Sequence, residues 1–560
     1  MLKLAPALTL ALMLGPVAAG LFGTLLPAAG YVPALGGTAM SLEPLRLLLG
    51  QPGIGQSALL SLGTGLAATL GAFAVVVLFT AAFEGSRFFR LLRRLLSPLM
   101  AVPHAAAAFG LAFLIAPSGF VMRLLSPWAT GLQRPPDLLI VGDPLGLTMT
   151  LGLMAKEIPF LFLMLLAALP QADPLRSRRV AASLGYAPVA GWLTTVLPRV
   201  YPQIRLPVFA VLAYATSVVD VALILGPTTP PPLAVRLTGW MNDPDLSLRF
   251  MASAGALAQL GLSLFAILLW ICGERLAAML GRRWIEGGRR SAAERLTPAL
   301  SGSAMALLAA AMLAGLALLA LWSLAGPWRF PDTLPHHLTL RAWMVHGPAA
   351  GDAIVTTIAI ALPVIAVAIA LALACLENET RDGRPVQHRS LPLLYLPLIV
   401  PQIAFLFGLQ ILFLMAGLHD TLLAVALGHM VFVLPYVFLA LSDPWRAVDP
   451  RYGHMASALG ASPARSFWRV RLPLARKAVA TAAALGFAVS VAQYLPTLLI
   501  GGGRVSTVTT EAVALAAGGN RQLIGLYGLL QMLLPFAAFL LAAAIPGVAH
   551  RRRADGEAAT

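Results

Sequence analysis

Four polar residues interrupt runs that are otherwise apolar, and their chemistry limits what the chain can do. Lys156 and Glu157 are neighbours ahead of Pro159 in the apolar stretch 145–170, Asp220 lies in a later run, and Gln493 lies in a third. A charged side chain at the centre of a bilayer costs about 2.5–3.5 kcal/mol on insertion scales, so such groups face a partner or a watery path. Adjacent residues on a helix point about 100° apart, so Lys156 and Glu157 cannot simply neutralise each other. Two readings remain. Either Lys156, Glu157, Asp220 and Gln493 line a translocation path, or they form interhelical ion pairs that fix packing.

Other reactive residue types carry less. No nucleophile and base recur at motif spacing, so bond-making chemistry has no support in this chain. His336-His337 lack a recognisable ligand spacing and read as a solvated loop. Cys272 and Cys375 are too few for a disulfide framework and read as reduced structural thiols. The phosphate-binding pattern G-x-x-x-x-G-K-S/T does not occur, because Gly501-Gly502-Gly503-Arg504 lacks the lysine. The polar stretch 501–512 is a cap on an outer mouth, a contact for a binding protein outside, or a plain connecting turn.

The elements that position these residues are membrane helices. Hydrophobic residues make up 59% of the 560 and charged ones 11%, where soluble domains carry about 25% charged. Crossing a hydrocarbon core takes roughly 20 helical residues, and sustained polar–apolar alternation, the mark of a barrel strand, is missing. The expected fold class is all-α, a polytopic membrane protein of about twelve helices. In the first half the spans fall near 7–29, 57–83, 97–122, 145–169, 206–225 and 250–272. In the second they fall near 303–326, 351–375, 391–417, 420–442, 478–500 and 524–546. The opening Met1-Leu2-Lys3 and its apolar run resemble a signal peptide, but the run is too long, and it reads as an uncleaved first span.

Placing the N-terminus inside puts 29 of the 39 Lys and Arg residues on cytoplasmic segments and nine outside, with Lys156 within a span. Lys and Arg accumulate on the cytoplasmic side, so the net charge of +16 reads as an orientation signal. It does not read as a nucleic-acid surface. Both termini are expected in the cytoplasm.

The chain is also a duplication. Arg179-Val-Ala-Ala-Ser-Leu-Gly185 matches His454-Met-Ala-Ser-Ala-Leu-Gly460, and Leu197-Pro198 matches Leu472-Pro473, all at an offset of 275. Asp173-Pro174 matches Asp449-Pro450, and Pro159 matches Pro435, at 276. Six spans per half make a parallel repeat about an axis along the membrane normal, with a path between the halves. The expected organisation is a first half over 1–272, a cytoplasmic linker over 273–300, a second half over 301–548 and a cytoplasmic tail over 549–560. The repeated motif falls in the cytoplasmic loop after the fourth span of each half. Asp-Pro reads there as a helix start and the glycine as a bend between two short helices.

The pattern Ala-x-x-x-Gly, nine residues, an aliphatic, one residue, then Leu-Pro resembles the EAA loop of binding-protein-dependent ABC importer permeases. The match falls on Ala181, Gly185, Leu197 and Pro198, and again on Ala456, Gly460, Val470, Leu472 and Pro473. The family's glutamate is replaced by Arg179 and His454, and its aliphatic position is Thr195 in the first copy. The resemblance implies a multi-pass protein of the bacterial inner membrane, in which each loop is a coupling helix seated on an ABC ATPase subunit. It implies that this chain holds no cofactor, that ATP and Mg are bound by the ATPase, expected as a homodimer, and that a periplasmic or extracellular substrate-binding protein docks outside. Fused permeases of this type look like those for thiamine and ferric iron, with thiamine preferred here. A secondary transporter driven by an ion gradient is the alternative; it explains twelve helices but leaves the duplicated loops without a purpose.

Overall fold

The structure, a computed structural model, describes residues 2–291, 294–382 and 391–557. Arg384 and Arg389, two of the basic residues used for orientation, lie outside the described residues. Helices dominate, as they must where lipid offers the backbone no hydrogen bonds. Among the described residues, extended pairing is confined to two isolated bridges, Val32 with Gly37 and Ala325 with Leu338.

In the first half the main helices are α1 (Ala5–Ala28), α2 (Ile54–Phe83), α3 (Arg87–Leu99), α4 (His104–Ile115) and α5 (Leu147–Ala168). They continue with α6 (Pro174–Ser183), α7 (Pro188–Thr195), α8 (Leu197–Ser217), α9 (Asp220–Leu225) and α10 (Leu248–Glu286). The second half opens with α11 (Leu296–Leu324), α12 (Arg341–Asp382), α13 (Leu391–Ile399), α14 (Gln402–Met415) and α15 (Leu422–Arg446). It ends with α16 (Pro450–Ala458), α17 (Pro463–Ser466), α18 (Leu472–Val491), α19 (Leu495–Ile500) and α20 (Arg521–Glu557).

Ten described helices are long and apolar enough to cross a membrane, eleven if α13 and α14 count as one bent span. Several expected spans are broken, and the breaks recur in both halves. The expected span 97–122 begins on the last turn of α3 and resumes at α4 after a break at Val102-Pro103, and 391–417 is α13 and α14, bent by 84° at Val400-Pro401. The cause is shared: proline lacks the donor for the helix ladder and pushes the residue before it out of the α region. The expected span 206–225 is α8 and α9, and 478–500 is α18 and α19. Hydropathy averages over such breaks, because the runs on both sides of them are mostly apolar. The expected linker 273–300 also differs, since α10 runs unbroken to Glu286 and α11 begins at Leu296.

The two halves interlock through their first helices. Along α1, Gly20 and Gly23 lie against Phe405 and Gly408 of α14, with no room for a Cβ at Gly20 or Gly408. Thr24 Oγ1 donates to Gly20 O at 2.9 Å and accepts from Gly408 N at 3.0 Å. The mirror contact sets Gly110 of α4 against Gly315 of α11, where each glycine's added Cβ would fall within 3 Å of the other's backbone. Each half thus packs its first helix on the third span of the other, by the close small-residue approach that holds helices together where lipid provides no hydrophobic drive. This crossing brings the proline breaks together at the centre.

Candidate functional site

A cavity of roughly 200 Å³ lies where the breaks meet. Its wall is built from the α3–α4 break, the middle of α5, the α8–α9 break, and the corresponding α13–α14 break, α15 and α18–α19 break of the second half. Lys156, Glu157, Asp220 and Gln493 all line it. The sequence placed these four in three separate runs, and the fold brings them to one site. Each is at most 8% exposed.

The four groups make different bonds. Lys156 Nζ donates to Leu99 O at 3.2 Å and Met100 O at 3.0 Å. These carbonyls are available because α3 stops before Pro103, and the C-terminal end of a helix favours a cation. Among the described residues Lys156 joins no ion pair with a carboxylate. Glu157 Oε1 instead lies 3.2 Å from His104 Nε2, the first residue of α4. The His104 ring stands 4.6 Å from that of Tyr214, whose hydroxyl donates to Asp220 Oδ1 at 3.3 Å. A polar chain Glu157–His104–Tyr214–Asp220 thus runs along the first-half wall. The second half answers with neutral groups, among them Gln402, Tyr436, Gln493 and Tyr494. Gln493 Nε2 donates to Val489 O at 3.2 Å, while its buried Oε1 finds no hydrogen-bond partner among the described residues.

Sequence reasoning missed His104 and Gln402. The signal was present: Val102-Pro103-His104 and Val400-Pro401-Gln402 stand 298 residues apart, as do Gly110 and Gly408.

The second candidate surface is the pair of repeated loops. Asp173 Oδ1 accepts from Arg176 N at 3.4 Å to cap α6, and Asp449 Oδ1 accepts from Arg451 N at 2.9 Å to cap α16. α6 is one residue longer than α16, which accounts for the change of offset from 276 to 275. Past each helix the chain turns on a glycine, Gly185 at φ 80° and Gly460 at φ 78°. A left-handed φ at this position is the common glycine ending of a helix. Tyr186 N then donates to Ala181 O at 3.0 Å, and Ala461 N to Ala456 O at 2.9 Å. Ala181 must be small, because it is buried against Gly191 of α7.

Leu197-Pro198 and Leu472-Pro473 open α8 and α18, with proline in the first turn where its missing donor costs nothing. Thr195 closes α7, its hydroxyl donating to Gly191 O at 2.7 Å, and Val470 lies in the π-helical turn Phe467–Arg471.

Each loop is tied to the second span of its half by different chemistry. In the first, Trp192 Nε1 donates to Glu84 Oε2 at 2.9 Å and Arg178 to Glu84 O at 3.4 Å. Burial pushes the Glu84 carboxyl up, against the pull of the Trp192 N–H and the Arg178 charge. In the second, Arg471 bonds Glu377 at 3.1 Å and Arg446 bonds Glu379 at 2.9 Å. Arg179 and His454, which stand at the glutamate position, are exposed. Beside them lie matched apolar side chains the sequence reading passed over: Val180 and Leu184 are 51% and 61% exposed, and Met455 and Leu459, 275 residues on, are 62% and 86% exposed.

Residues 353–549 match the family model of the binding-protein-dependent transport system inner membrane component. An inner membrane ABC transporter permease protein of Escherichia coli K12, YnjC, is 32% identical over 95% of this chain and 96% of its own length. A molybdenum transport system permease protein of Mycobacterium tuberculosis, ModB, is 31% identical over 30% of this chain and 69% of its own. A spermidine/putrescine transport system permease protein of Haemophilus influenzae, PotC, is 30% identical over 18% of this chain and 38% of its own.

Proposed function

Because the chain belongs to the inner-membrane permeases of binding-protein-dependent ABC transporters, we propose that its two fused halves are the two sides of an importer's gate. A permease of this family is not an enzyme; it works with ABC ATPase subunits and a substrate-binding protein. In our reading two ATPases of one kind, holding ATP and Mg, dock on the two loops from the cytoplasm. Both loops follow the fourth span of a six-span half, so parallel halves present them on one face, with both termini on that side. Closure of the ATPases draws the loops together, the halves rock, and the central cavity opens outward to the binding protein.

The observation that carries this reading is the repeated docking surface. Each copy ends a short capped helix on a left-handed glycine and exposes two apolar side chains at equivalent positions, Val180 and Leu184 in one and Met455 and Leu459 in the other. Exposed apolar groups at matched positions mark a protein contact. The test is to replace Leu184 and Leu459 by arginine and to purify the permease with its ATPase. Burying an unpaired charge in an apolar contact costs more than about 1.4 kcal/mol, so recovered ATPase is expected to fall by at least about tenfold. Full stoichiometric recovery would reject the docking role.

The cavity is the proposed path, with Lys156, Glu157, Asp220 and Gln493 on its wall. Two carboxylates and the unpaired Gln493 carbonyl present acceptors, while the Lys156 ammonium is already turned onto backbone carbonyls. That lining favours a nitrogenous cation, thiamine or a polyamine, over an oxyanion of the kind molybdenum forms in water. Competition of spermidine, thiamine and molybdate for uptake tests it, and preferential block by molybdate would overturn it.

A further inference from the structure

One difference between the two loops lies where their second short helices begin. α17 caps itself: Ser462 stands at its N-cap and its Oγ accepts from Arg465 N at 3.3 Å. The equivalent residue before α7 is Ala187, 275 positions earlier, which has no side-chain oxygen to offer. The amides of that first turn, which have no partner within the helix, are nevertheless satisfied. Glu294, at the far end of the linker between the halves, accepts from Val189 N at 3.1 Å through Oε2 and from Ala190 N at 3.0 Å through Oε1. These are the second and third helical amides, the two that an N-cap side chain normally takes. A carboxylate there also meets the positive end of the helix.

The linker makes further contacts on the same turn. Ala187 N donates to Arg290 O at 2.9 Å. The Arg290 guanidinium lies 4.4 Å from the centroid of the Tyr186 ring, and Tyr186 faces Trp284 of α10 at 6.4 Å. Tyr186 directly follows Gly185, so the linker grips the turn between the two helices of the first loop. At the equivalent place the second loop has Ala461-Ser462 and relies on its own hydroxyl.

We propose that the linker is a working part of the first coupling loop, with Glu294 as the positioning residue that supplies its missing N-cap. The two ATPase docking knobs are then inequivalent: one is set by the chain's own local sequence, the other by the covalent fusion of the halves. Replacing the linker by a flexible segment of equal length would loosen the first knob and leave the second intact. The proposal rests on the loops being the coupling elements, and its test keeps the two claims apart.

The experiment follows amide hydrogen exchange in the full-length permease in nanodiscs, together with uptake per ATP hydrolysed in the reconstituted transporter. Losing an N-cap costs about 1 kcal/mol, which is roughly a five-fold change in an equilibrium. Glu294→Ala is expected to speed exchange of the 189–195 amides by about that factor, with the 464–471 amides unchanged, and to lower the coupling ratio. Adding Ala187→Ser, which copies Ser462, is expected to restore both. Unchanged exchange in Glu294→Ala, or failure of Ala187→Ser to restore it, would overturn the proposal. Loss and restoration of protection with the coupling ratio constant would leave the strap standing and remove the coupling role from the loop.

Discussion

Burying Lys156, Glu157 and Asp220 around one small cavity is costly unless each is bonded, and each is: to two carbonyls, to His104 and to Tyr214. If these groups only fixed packing, a neutral isostere that keeps a hydrogen bond would be nearly silent. If they contact cargo, the lost charge removes a hydrogen bond to a charged group, about 1.5–3 kcal/mol. Glu157→Gln and Asp220→Asn are therefore each expected to slow uptake by about tenfold or more while ATPase binding persists, read as initial uptake rates at saturating ATP. Wild-type rates in both variants would remove them from the path. The sequence disclosed these carboxylates because charge inside an apolar run stands out. It did not disclose His104, whose neighbours in sequence are small and apolar and whose partner Glu157 is 53 residues away.

Among the elements, the two short-helix loops were the most legible part of the chain. Asp-Pro starts and glycine ends are local backbone chemistry, which a sequence states directly. The exposed pairs at Val180 and Leu184, and at Met455 and Leu459, were harder to see, since an apolar residue on a short helix reads as core until the fold shows what covers it. Gly185 and Gly460 need a left-handed backbone, and a side chain there costs roughly 1–2 kcal/mol. Gly185→Leu and Gly460→Leu are accordingly expected to distort the turns and to uncouple hydrolysis from uptake. The check is the ratio of cargo moved to phosphate released; a wild-type ratio in both would argue that the turns transmit nothing. The broken spans were the least legible elements, because the runs around Val102-Pro103 and Val400-Pro401 are apolar apart from His104 and Gln402.

On the scale of the whole molecule, the crossing of first helices explains why two fused halves can act as one gate. Contacts of Gly20 and Gly23 with Gly408, and of Gly110 with Gly315, bind each half to the other by close backbone approach, with the Thr24 hydroxyl bonded across the first of them. Such contacts are invisible in a hydropathy profile, and the duplication alone gave only the symmetry. The cavity then sits between the two halves, while the loops lie at the ends of the helices that wall it. The most direct test of force transmission is the distance between spin labels at Leu184→Cys and Leu459→Cys, in a Cys272→Ser background that removes the exposed native thiol. Measured in the assembled transporter without and with ATP under non-hydrolysing conditions, the distance is expected to shorten when ATP binds. An unchanged distance in a complex that still imports its cargo would contradict the account.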